Sequence, residues 1–476
     1  MRIPRIMIAA PVSGCGKTTI ACGLMQALMS RGYKVAGAKC GPDYIDPMFH
    51  RKILGVESEN LDLFFCEPQV MKALFAEHAS GADITVIEGV MGYYDGMALD
   101  SEKASSYEVA KVLDAPVLLV VDAKGAALSV LAVIKGFLIF RDDSHIAGVL
   151  LNRVSGAVYP RMKEMIEQGL KDMGHPVPVV GYVPENPSFR LKSRHLGLVT
   201  PQETEDLKSV FEEIGRILSE TADLEQILKI AGRGPILKSI AGEVSLKRQV
   251  MPPESVGHGK LRLAVAKDLA FGFYYKDNLR LLEKLGCELA PFSPLRDRHL
   301  PSDISGLLLG GGYPELYAEE LSANTSLRKE IRTMLKQGLP CHAECGGFMY
   351  LHEAMESPDH EFYEMVGLIK GNAVQREKLV RFGYVQIEGK RDGVYLEQGE
   401  VLRGHEFHYW DSQNNGDDCT AGKPGRDIRW NCIHMRGNVF AGFPHIHYYS
   451  NMRFAQRFVD RMREYHAAWR IGKGMK

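Results

Sequence analysis

The chain has 476 residues and a mass of 53.0 kDa, which exceeds what one hydrophobic core usually organises, so two domains are expected. Lysine and arginine number 58 against 59 aspartates and glutamates, and this balance excludes a strongly basic nucleic-acid or membrane-surface binder. No apolar run approaches the roughly 20 residues that cross a bilayer. Nine cysteines without a CxxC pair argue against a disulfide framework or a zinc site, and they favour the reduced cytoplasm.

The first half alternates short apolar runs with helix-period stretches such as Thr18–Ser30 and Ser105–Leu113. Continuous apolar strands that alternate with helices predict an α/β fold with a doubly wound parallel sheet. The predicted strands are Arg5–Ala10, Lys34–Ala38, Ile84–Glu88, Pro116–Asp122, Ile146–Asn152 and Pro178–Val183.

Helical periodicity continues over Glu203–Ile230 and then gives way to a stretch rich in Gly, Pro, Ser and charge. A second α/β pattern begins at Leu261, its tail has more strands, and an amphipathic helix is expected over Asn451–Trp469. Within that tail, Val439–Tyr449 is predicted as a strand. The expected organisation is a first domain over 1–230, a linker over 231–259 and a second domain over 260–476.

A phosphate-binding loop is predicted where Ala10–Thr19 follows the first strand and precedes the first helix. Glycines let backbone amides approach phosphates, and a lysine neutralises their charge. Position 11 is proline where the standard motif has glycine. The candidate ATP-binding residues are Ser13, Gly14, Cys15, Gly16, Lys17, Thr18 and Thr19.

Acidic residues follow other predicted strands, at the sheet edge where ligands bind in open α/β folds. Glu88 ends the strand over Ile84–Glu88 and, with Thr18, is a candidate Mg²⁺ ligand. Asp43, Tyr44 and Asp46 lie in the segment that follows another strand and are candidate substrate-binding residues. Asn152, also at a strand end, is a candidate for reading adenine.

The segments KCGPDYIDPMFH, SENLDLFF, VIEGVMGYYDG and GVLLNRV, in that order, resemble the cobyrinic acid a,c-diamide synthase family. That family belongs to the amidotransferase branch of the dethiobiotin-synthetase-like P-loop proteins. The resemblance implies that ATP, with Mg²⁺, phosphorylates a substrate carboxylate and gives an acyl phosphate.

A nucleophilic cysteine is predicted in the second half, where Leu339–Tyr350 reads as a strand, a sharp turn and a helix. Two glycines after Cys345 allow a tight turn that places its thiol at a helix N-terminus, which favours the thiolate. About one hundred residues later, His445 and its runner-up His447 are candidate bases on one face of a strand. The backbone amides of Gly310, Gly311 and Gly312 are candidates for an oxyanion hole or for binding glutamine.

These motifs resemble the class I glutamine amidotransferases, and LLLGGGYPELY, AECGGFMYL and RGHEFHYW resemble their cobyrinate and cobyric acid synthase subgroup. Ordinary class I enzymes carry a glutamate two residues after the histidine. If His445 is that histidine, His447 stands in the glutamate's place, so the third catalytic residue is absent or replaced. The roles of Arg194, His195, His405 and His408 stay open, and a structural network around GHEFHYW is favoured over a metal site.

Together the resemblances imply an enzyme that amidates the a and c acetates of the corrinoid cobyrinic acid, using two ATP and two glutamines. Sister amidases of nickel-sirohydrochlorin or hydrogenobyrinic acid, and cobyric acid synthase, remain alternatives. A CTP-synthase-like ligase and a non-catalytic P-loop regulatory or partitioning ATPase are further alternatives. The expected partners are therefore small molecules, with no nucleic acid and no membrane.

Overall fold

The computed structural model describes residues 3–189, 207–237 and 261–472. It divides the chain into two units, Met1–Ser245 and Leu246–Lys476, each of which is described by itself. Most of the predicted linker lies outside the described residues, as do Arg194 and His195. The predicted domain boundaries at 230, 231–259 and 260 therefore stay predictions.

The first unit contains a seven-stranded parallel sheet in the order β3-β2-β4-β1-β5-β6-β7. The strand order reverses direction beside β1, which opens a crevice at the carboxyl ends of the central strands. Its strands are β1 Arg5–Ala9, β2 Val35–Cys40, β3 Ser58–Leu61, β4 Ile84–Glu88, β5 Val117–Asp122, β6 Ile146–Asn152 and β7 Val179–Val183.

Helices connect these strands, as the alternating pattern predicts. They are α1 Lys17–Ser30, α2 Ile45–Leu54, α3 Pro68–His78, α4 Ser106–Leu113, α5 Ser129–Ile139, α6 Tyr159–Asp172, α7 Leu207–Thr221 and α8 Leu224–Ala231. The predicted helical stretch over Glu203–Ile230 is broken, because Asp223 accepts a hydrogen bond from the Gln226 amide and starts a new helix.

The second unit is built on a six-stranded sheet in the order β10-β8-β11-β13-β23-β22, parallel except at β22. These strands are β8 Leu261–Ala266, β10 Cys287–Phe292, β11 Ile304–Leu309, β13 Cys341–Glu344, β22 His434–Arg436 and β23 Val439–Gly442. The helices are α9 Lys276–Lys284, α10 Ala318–Ala323, α11 Thr325–Lys336, α12 Gly346–Tyr350 and α13 Met452–Gly472.

Three smaller sheets surround this centre, and the first pairs β9 Phe271–Phe273 with β12 Gly311–Gly312. A four-stranded sheet contains β14 His352–Glu356, β15 Phe362–Glu364, β16 Ile369–Gln375 and β19 Trp410–Ser412. A five-stranded sheet contains β17 Arg381–Gly389, β18 Val401–His408, β20 Cys419–Gly422, β21 Arg429–Cys432 and β24 His445–Ile446.

The prediction of one strand over Val439–Tyr449 is wrong. The chain leaves the central sheet after Gly442, joins the five-stranded sheet over His445–Ile446, and then forms a 3₁₀ turn over Tyr448–Ser450. This change of sheet separates the environments of His445 and His447, which a continuous strand would have placed on one face.

Candidate active sites

The phosphate loop of the first unit bends through two glycines in the left-handed region, Gly14 at φ 82° and Gly16 at φ 91°. Helix α1 begins immediately afterwards at Lys17, so its free backbone amides face the loop. A Cβ at position 16 would lie 2.6 Å from Asn152 Nδ2. Both its conformation and this close approach therefore require glycine at position 16.

Asn152 braces this loop from the end of β6. Its Nδ2 donates to the Cys15 carbonyl at 2.8 Å, and its Oδ1 accepts from the Arg153 amide at 3.0 Å. Both ends of the side-chain amide therefore have protein partners. The suggested adenine-reading role stays a prediction, and the contacts describe support of the loop.

Lys17 is buried and curls back over the loop. Its ammonium group donates to the carbonyls of Val12 at 3.1 Å and Met91 at 2.5 Å. Burial, and then the positive charge of Lys39, lower the pKa of Lys17. The lysine is thus held against the loop that would bind the phosphates. Ser13, exposed, and Thr19, whose hydroxyl lies 3.5 Å from the Phe189 carbonyl, complete the loop.

A buried charged cluster lies beside the loop, centred on Glu88 at the end of β4. Glu88 Oε1 accepts from Thr18 Oγ1 at 2.5 Å and from Lys39 Nζ at 2.8 Å. Lys39 Nζ also lies 2.6 Å from Asp46 Oδ2, and His50 Nε2 lies 3.3 Å from Glu88 Oε2. Three predicted candidates therefore lie in one cluster: Thr18 contacts Glu88 directly, and Lys39 connects Glu88 to Asp46.

The surroundings of the cluster shift the pKa values of its two carboxyl groups in opposite directions. Burial works to raise the pKa of Glu88, but Lys39 and His50 hold it well below its usual range. Burial, followed by the charges of Asp43 and Glu88, raises the pKa of Asp46 well above its usual range. Glu88 is therefore the carboxylate that keeps its negative charge.

Sequence reasoning missed Lys39 and His50. The available signal was a lysine in the otherwise apolar run VAGAKC, since a buried charge requires a partner. The register pairs Lys39 directly with Glu88 on the neighbouring strand. His50 lies on α2, one turn after Asp46, where only the fold shows that it faces Glu88.

The residues beside the loop fit a magnesium ion bound with nucleotide phosphates. Glu88 Oε2 is buried, with His50 Nε2 as a neighbour at 3.3 Å, and hydroxyl and carboxylate oxygens are ligands that Mg²⁺ prefers. The described part of the chain has no group of three or more His, Cys, Asp or Glu side chains arranged to hold a metal. Thr18 and Glu88 would therefore contribute only part of a coordination shell, as in phosphate-assisted Mg²⁺ sites.

The candidate substrate residues lie at the start of α2. Asp43 Oδ1 accepts from the amides of Ile45 at 2.7 Å and Asp46 at 3.3 Å, so it caps the helix. Tyr44 is the residue immediately before the helix, and Asp46 points into the Lys39 cluster. The three side chains thus differ in environment, and their substrate-binding role stays a prediction.

Cys345 forms a sharp turn between β13 and α12, with φ 47° and ψ −105°. Its amide donates to the Gly442 carbonyl at 2.9 Å, and the Gly347 amide donates to the Gly310 carbonyl at 2.9 Å. A Cβ at position 347 would lie 2.2 Å from the Leu309 carbonyl oxygen, so the second glycine permits this packing. The expected strand–turn–helix is present, although α12 has only five residues.

His445 is the histidine that hydrogen-bonds Cys345. Burial works to lower the pKa of His445, but the Cys345 thiolate and Glu344 raise it to about 10. A thiolate paired with an imidazolium is the form in which a cysteine acts as a nucleophile. Helix α12 is too short for a large dipole, so the positive charge beside Cys345 is that of His445.

His447 has a different environment. Its ring centroid lies 5.1 Å from that of Tyr275 and 5.9 Å from that of Tyr449. Burial lowers the pKa of His447 to about 3, which makes it a poor proton acceptor near neutral pH. The geometry thus favours His445, the first choice from sequence, over His447.

The glycine triplet follows β11 and flanks His445. A Cβ on Gly311 would lie 2.3 Å from His445 Cε1, so the imidazole packs directly on the glycine. The Gly310 amide donates to the Tyr274 hydroxyl at 2.9 Å, whereas Gly311 and Gly312 pair with β9. The oxyanion-hole role stays a prediction for the triplet, and the Gly310 amide already has a partner.

Sequence reasoning also missed Glu344, which directly precedes the candidate nucleophile Cys345. Its Oε2 lies 3.7 Å from His445 Nδ1, and its Oε1 accepts from the Ile446 amide at 2.9 Å. A carboxylate therefore lies beside His445 although position 447 carries none, in agreement with the replacement that the sequence left open. The motif AECGG contained the signal, but a position before the nucleophile is not where class I enzymes place this residue.

The segment FGFYYKDN, residues 271–278, supports the same site. Asn278 Nδ2 donates to the Ile446 carbonyl at 2.7 Å, and Asn278 Oδ1 accepts from the Tyr448 amide at 2.8 Å. In GHEFHYW, the His408 ring stacks on Phe443 with centroids 3.9 Å apart. The preference for a structural network over a metal site in GHEFHYW stays a prediction, which this stacking supports.

The comparisons with known proteins agree with this two-domain description. Residues 262–452 match the CobB/CobQ-like glutamine amidotransferase domain, and residues 6–199 match the CobQ/CobB/MinD/ParA nucleotide binding domain. A nucleotide-binding domain joined to a glutamine amidotransferase domain defines the class: a glutamine-hydrolysing amide ligase.

Curated relatives match nearly the whole chain. A cobyrinate a,c-diamide synthase of Caldanaerobacter subterraneus subsp. tengcongensis is 39% identical, covering 96% of this chain and 97% of its own length. The enzyme of that name from Listeria monocytogenes serotype 4b is 40% identical and covers 94% of this chain. The one from Salmonella typhimurium is 39% identical and covers 95% of this chain. Both matches span 97% of the relative's own length. The chain belongs to the cobyrinate a,c-diamide synthase family. No helix among the described residues is long and apolar enough to cross a membrane.

Proposed function

We propose that this enzyme uses ATP and glutamine to convert the a- and c-acetate carboxylates of cobyrinic acid into amides, in cobalamin biosynthesis. The observation that carries the proposal is the presence, in one chain, of a Cys345–His445 pair and a phosphate loop beside Glu88. The first arrangement suits release of ammonia from glutamine. The second suits activation of a carboxylate by ATP.

In the glutaminase half, the Cys345 sulfur attacks the side-chain amide carbon of glutamine. The imidazolium of His445 protonates the departing nitrogen, so ammonia leaves and a thioester remains. His445 then takes a proton from water, which attacks the thioester carbon and releases glutamate. The amides of Gly311 and Gly312 are proposed to stabilise the oxyanion that forms at each step.

In the synthetase half, the amides of Gly14–Lys17 and the Lys17 ammonium group hold the nucleotide phosphates. Mg²⁺, when bound by Thr18 and Glu88 together with the phosphates, would neutralise phosphate charge. A substrate carboxylate oxygen attacks the γ-phosphorus, and ADP leaves. Ammonia then attacks the carbonyl carbon of the acyl phosphate and expels inorganic phosphate, so each amide requires one ATP and one glutamine.

The choice of cobyrinic acid comes from the names of the relatives, and the alternative acceptors are sister tetrapyrroles with the same acetate side chains. We propose that the enzyme works in the cytoplasm, where thiols remain reduced. All nine cysteines lie in described segments and are free thiols, which supports this location.

The test is phosphate release with MgATP and glutamine, with and without cobyrinic acid, together with the product's mass. We expect corrinoid-dependent phosphate release and a product with two carboxylates replaced by amides. Turnover with nickel-sirohydrochlorin or hydrogenobyrinic acid in place of cobyrinic acid would reassign the substrate. A rate of phosphate release that depends neither on glutamine nor on any tetrapyrrole would contradict the proposal and support a regulatory ATPase.

A further inference from the structure

We propose that Glu344 is the positioning carboxylate of the glutaminase site, so that Cys345, His445 and Glu344 act as a catalytic triad. The carboxylate then comes from the residue directly before the nucleophile, instead of from the second residue after the histidine. This inference rests on the proposed glutaminase function and assigns one more residue to the same site.

The contacts of Glu344 place both of its oxygens on the catalytic segment. Oε2 lies 3.7 Å from His445 Nδ1, which leaves the Nε2 side of the imidazole for the thiol. Oε1 accepts from the Ile446 amide at 2.9 Å, so the carboxylate also fixes the backbone next to His445. One side chain therefore holds the ring and the strand that carries it.

His342 and Tyr448 hold Glu344 from the other side. Tyr448 Oη lies 2.6 Å from His342 Nδ1, and His342 Nε2 lies 3.3 Å from Glu344 Oε1. Burial lowers the pKa of His342 and raises the pKa of Tyr448 well above its usual range, so both are neutral near pH 7. If Tyr448 donates to Nδ1, His342 carries its proton on Nε2, facing the carboxylate.

Other titratable groups near His445 are poorly suited to this role. Burial lowers the pKa of His405 to about 3 and that of His408 to about 4, so neither is charged near pH 7. Burial raises the pKa of Glu406 to about 7, which leaves it only partly ionised. Titratable groups from two elements interact electrostatically with His445. His342 and Glu344 lie on β13, with Cys345 directly after it, and His405, Glu406 and His408 lie on β18.

Placement before the nucleophile is consistent with the local backbone. His342 and Glu344 are two residues apart on β13 and therefore share one face of the strand. The positive φ of Cys345 then turns the chain sharply. The two neighbouring residues can thus approach one imidazole from different sides. At position 447, where class I enzymes carry glutamate, the chain already belongs to the turn that follows β24.

The experiment compares wild type with Glu344→Gln, which keeps an oxygen that can accept from Ile446 but removes the charge. The titration of His445 is followed by NMR with labelled histidine, its signal assigned with His445→Asn, and kcat/KM is measured for glutamine hydrolysis. The negative charge of Glu344 raises the pKa of His445. Its removal should therefore lower the titration midpoint, by about one unit or more, and move the loss of imidazolium to lower pH.

We expect kcat/KM for glutamine to fall by about 10- to 1,000-fold in Glu344→Gln, less than the roughly 10,000-fold loss known for a fully buried triad aspartate. Amidation with added ammonia should stay at the wild-type rate, which also shows that the variant folds. Glu406→Gln, a buried carboxyl on the facing strand, is the matched control and should shift the His445 midpoint much less. Glu344→Asp keeps the charge and should recover most of the shift.

An unchanged His445 midpoint and unchanged glutaminase rate in Glu344→Gln would overturn the triad assignment. Equal effects of Glu344→Gln and Glu344→Asp on the midpoint would do the same, because charge would then not be the cause. If instead wild type shows the titration but no glutamine-dependent amidation, the proposed function fails while the electrostatic pairing stands. The two failures are therefore distinguishable.

Discussion

At the scale of single residues, the first unit depends on a buried ammonium group. Lys39 is 4% exposed and contacts the carboxyl groups of Glu88 and Asp46, which are both buried. At such depth, removal of one charge of a pair leaves the other buried without a partner, which strongly destabilises the folded state. Lys39 is therefore the residue on which the electrostatics of the candidate ATP site rest.

Replacement of Lys39 by Met should destabilise the first unit by about 3–5 kcal/mol, because it leaves the Glu88 charge buried without its counter-ion. Urea unfolding, followed in the ligand-free protein, measures this change. The double variant Lys39→Met with Glu88→Gln removes both charges and should recover most of the loss. A single variant that unfolds at the wild-type midpoint would contradict this account.

At the scale of elements, the glutaminase site is assembled where short strands and turns meet. The turn at Cys345, the glycine triplet after β11 and the end of β23 converge because their strands are neighbours in one parallel sheet. Glycine is needed where two of these segments touch. Gly311 is the clearest case, since it has a negative φ and yet has no room for a side chain.

Gly311→Ala should displace the His445 ring, because the added methyl group would lie 2.3 Å from Cε1. We expect glutamine hydrolysis to fall about 100-fold, the effect of a displacement near 1 Å in a catalytic group. Ammonia-driven amidation should continue. Gly272→Ala, whose methyl group would come no closer than 3.8 Å to its neighbours, should hydrolyse glutamine at the wild-type rate. A similar loss in both variants would show that the steric argument is wrong.

At the scale of the whole molecule, the two chemistries are carried by separate units, each with its own sheet and core. The sequence was sufficient to predict this class, because strand–glycine–lysine and strand–cysteine–glycine patterns are local features. It also ranked His445 above His447, and this ranking stays a prediction that the contact of His445 with Cys345 supports. Lys39, His50 and Glu344 could not be found in this way, since their roles depend on which strands become neighbours.

The break after Gly442 was missed for a related reason. Periodicity could not distinguish one long strand from two short ones, and the available signal was Pro444, which cannot donate to a ladder and lies between the two strands. Only the pairing of His445 with His405 on β18 shows that the chain has changed partners.

Because the two chemistries lie in separate units, a substitution in one unit should leave the activity of the other unit in place. Lys17→Ala should abolish ATP-dependent phosphate release, because it removes the ammonium group from the phosphate loop, but it should leave a basal glutaminase activity. Cys345→Ala should abolish glutamine use and keep amidation with added ammonia. Both rates are measured on each variant, as phosphate and as glutamate released. Loss of both activities in both variants would mean that the two halves do not work independently.

The pairing of Lys39 with Glu88 across β2 and β4 also bears on how the sheet reaches its correct alignment. A slip of one residue between these strands would turn the lysine to the opposite face and leave Glu88 buried without this counter-ion. Strands made of Val, Ala and Ile alone would tolerate such a slip far better. The same ions that lie beside the phosphate loop should therefore favour the correct register of β2 against β4 and disfavour alignments that separate Lys39 from Glu88.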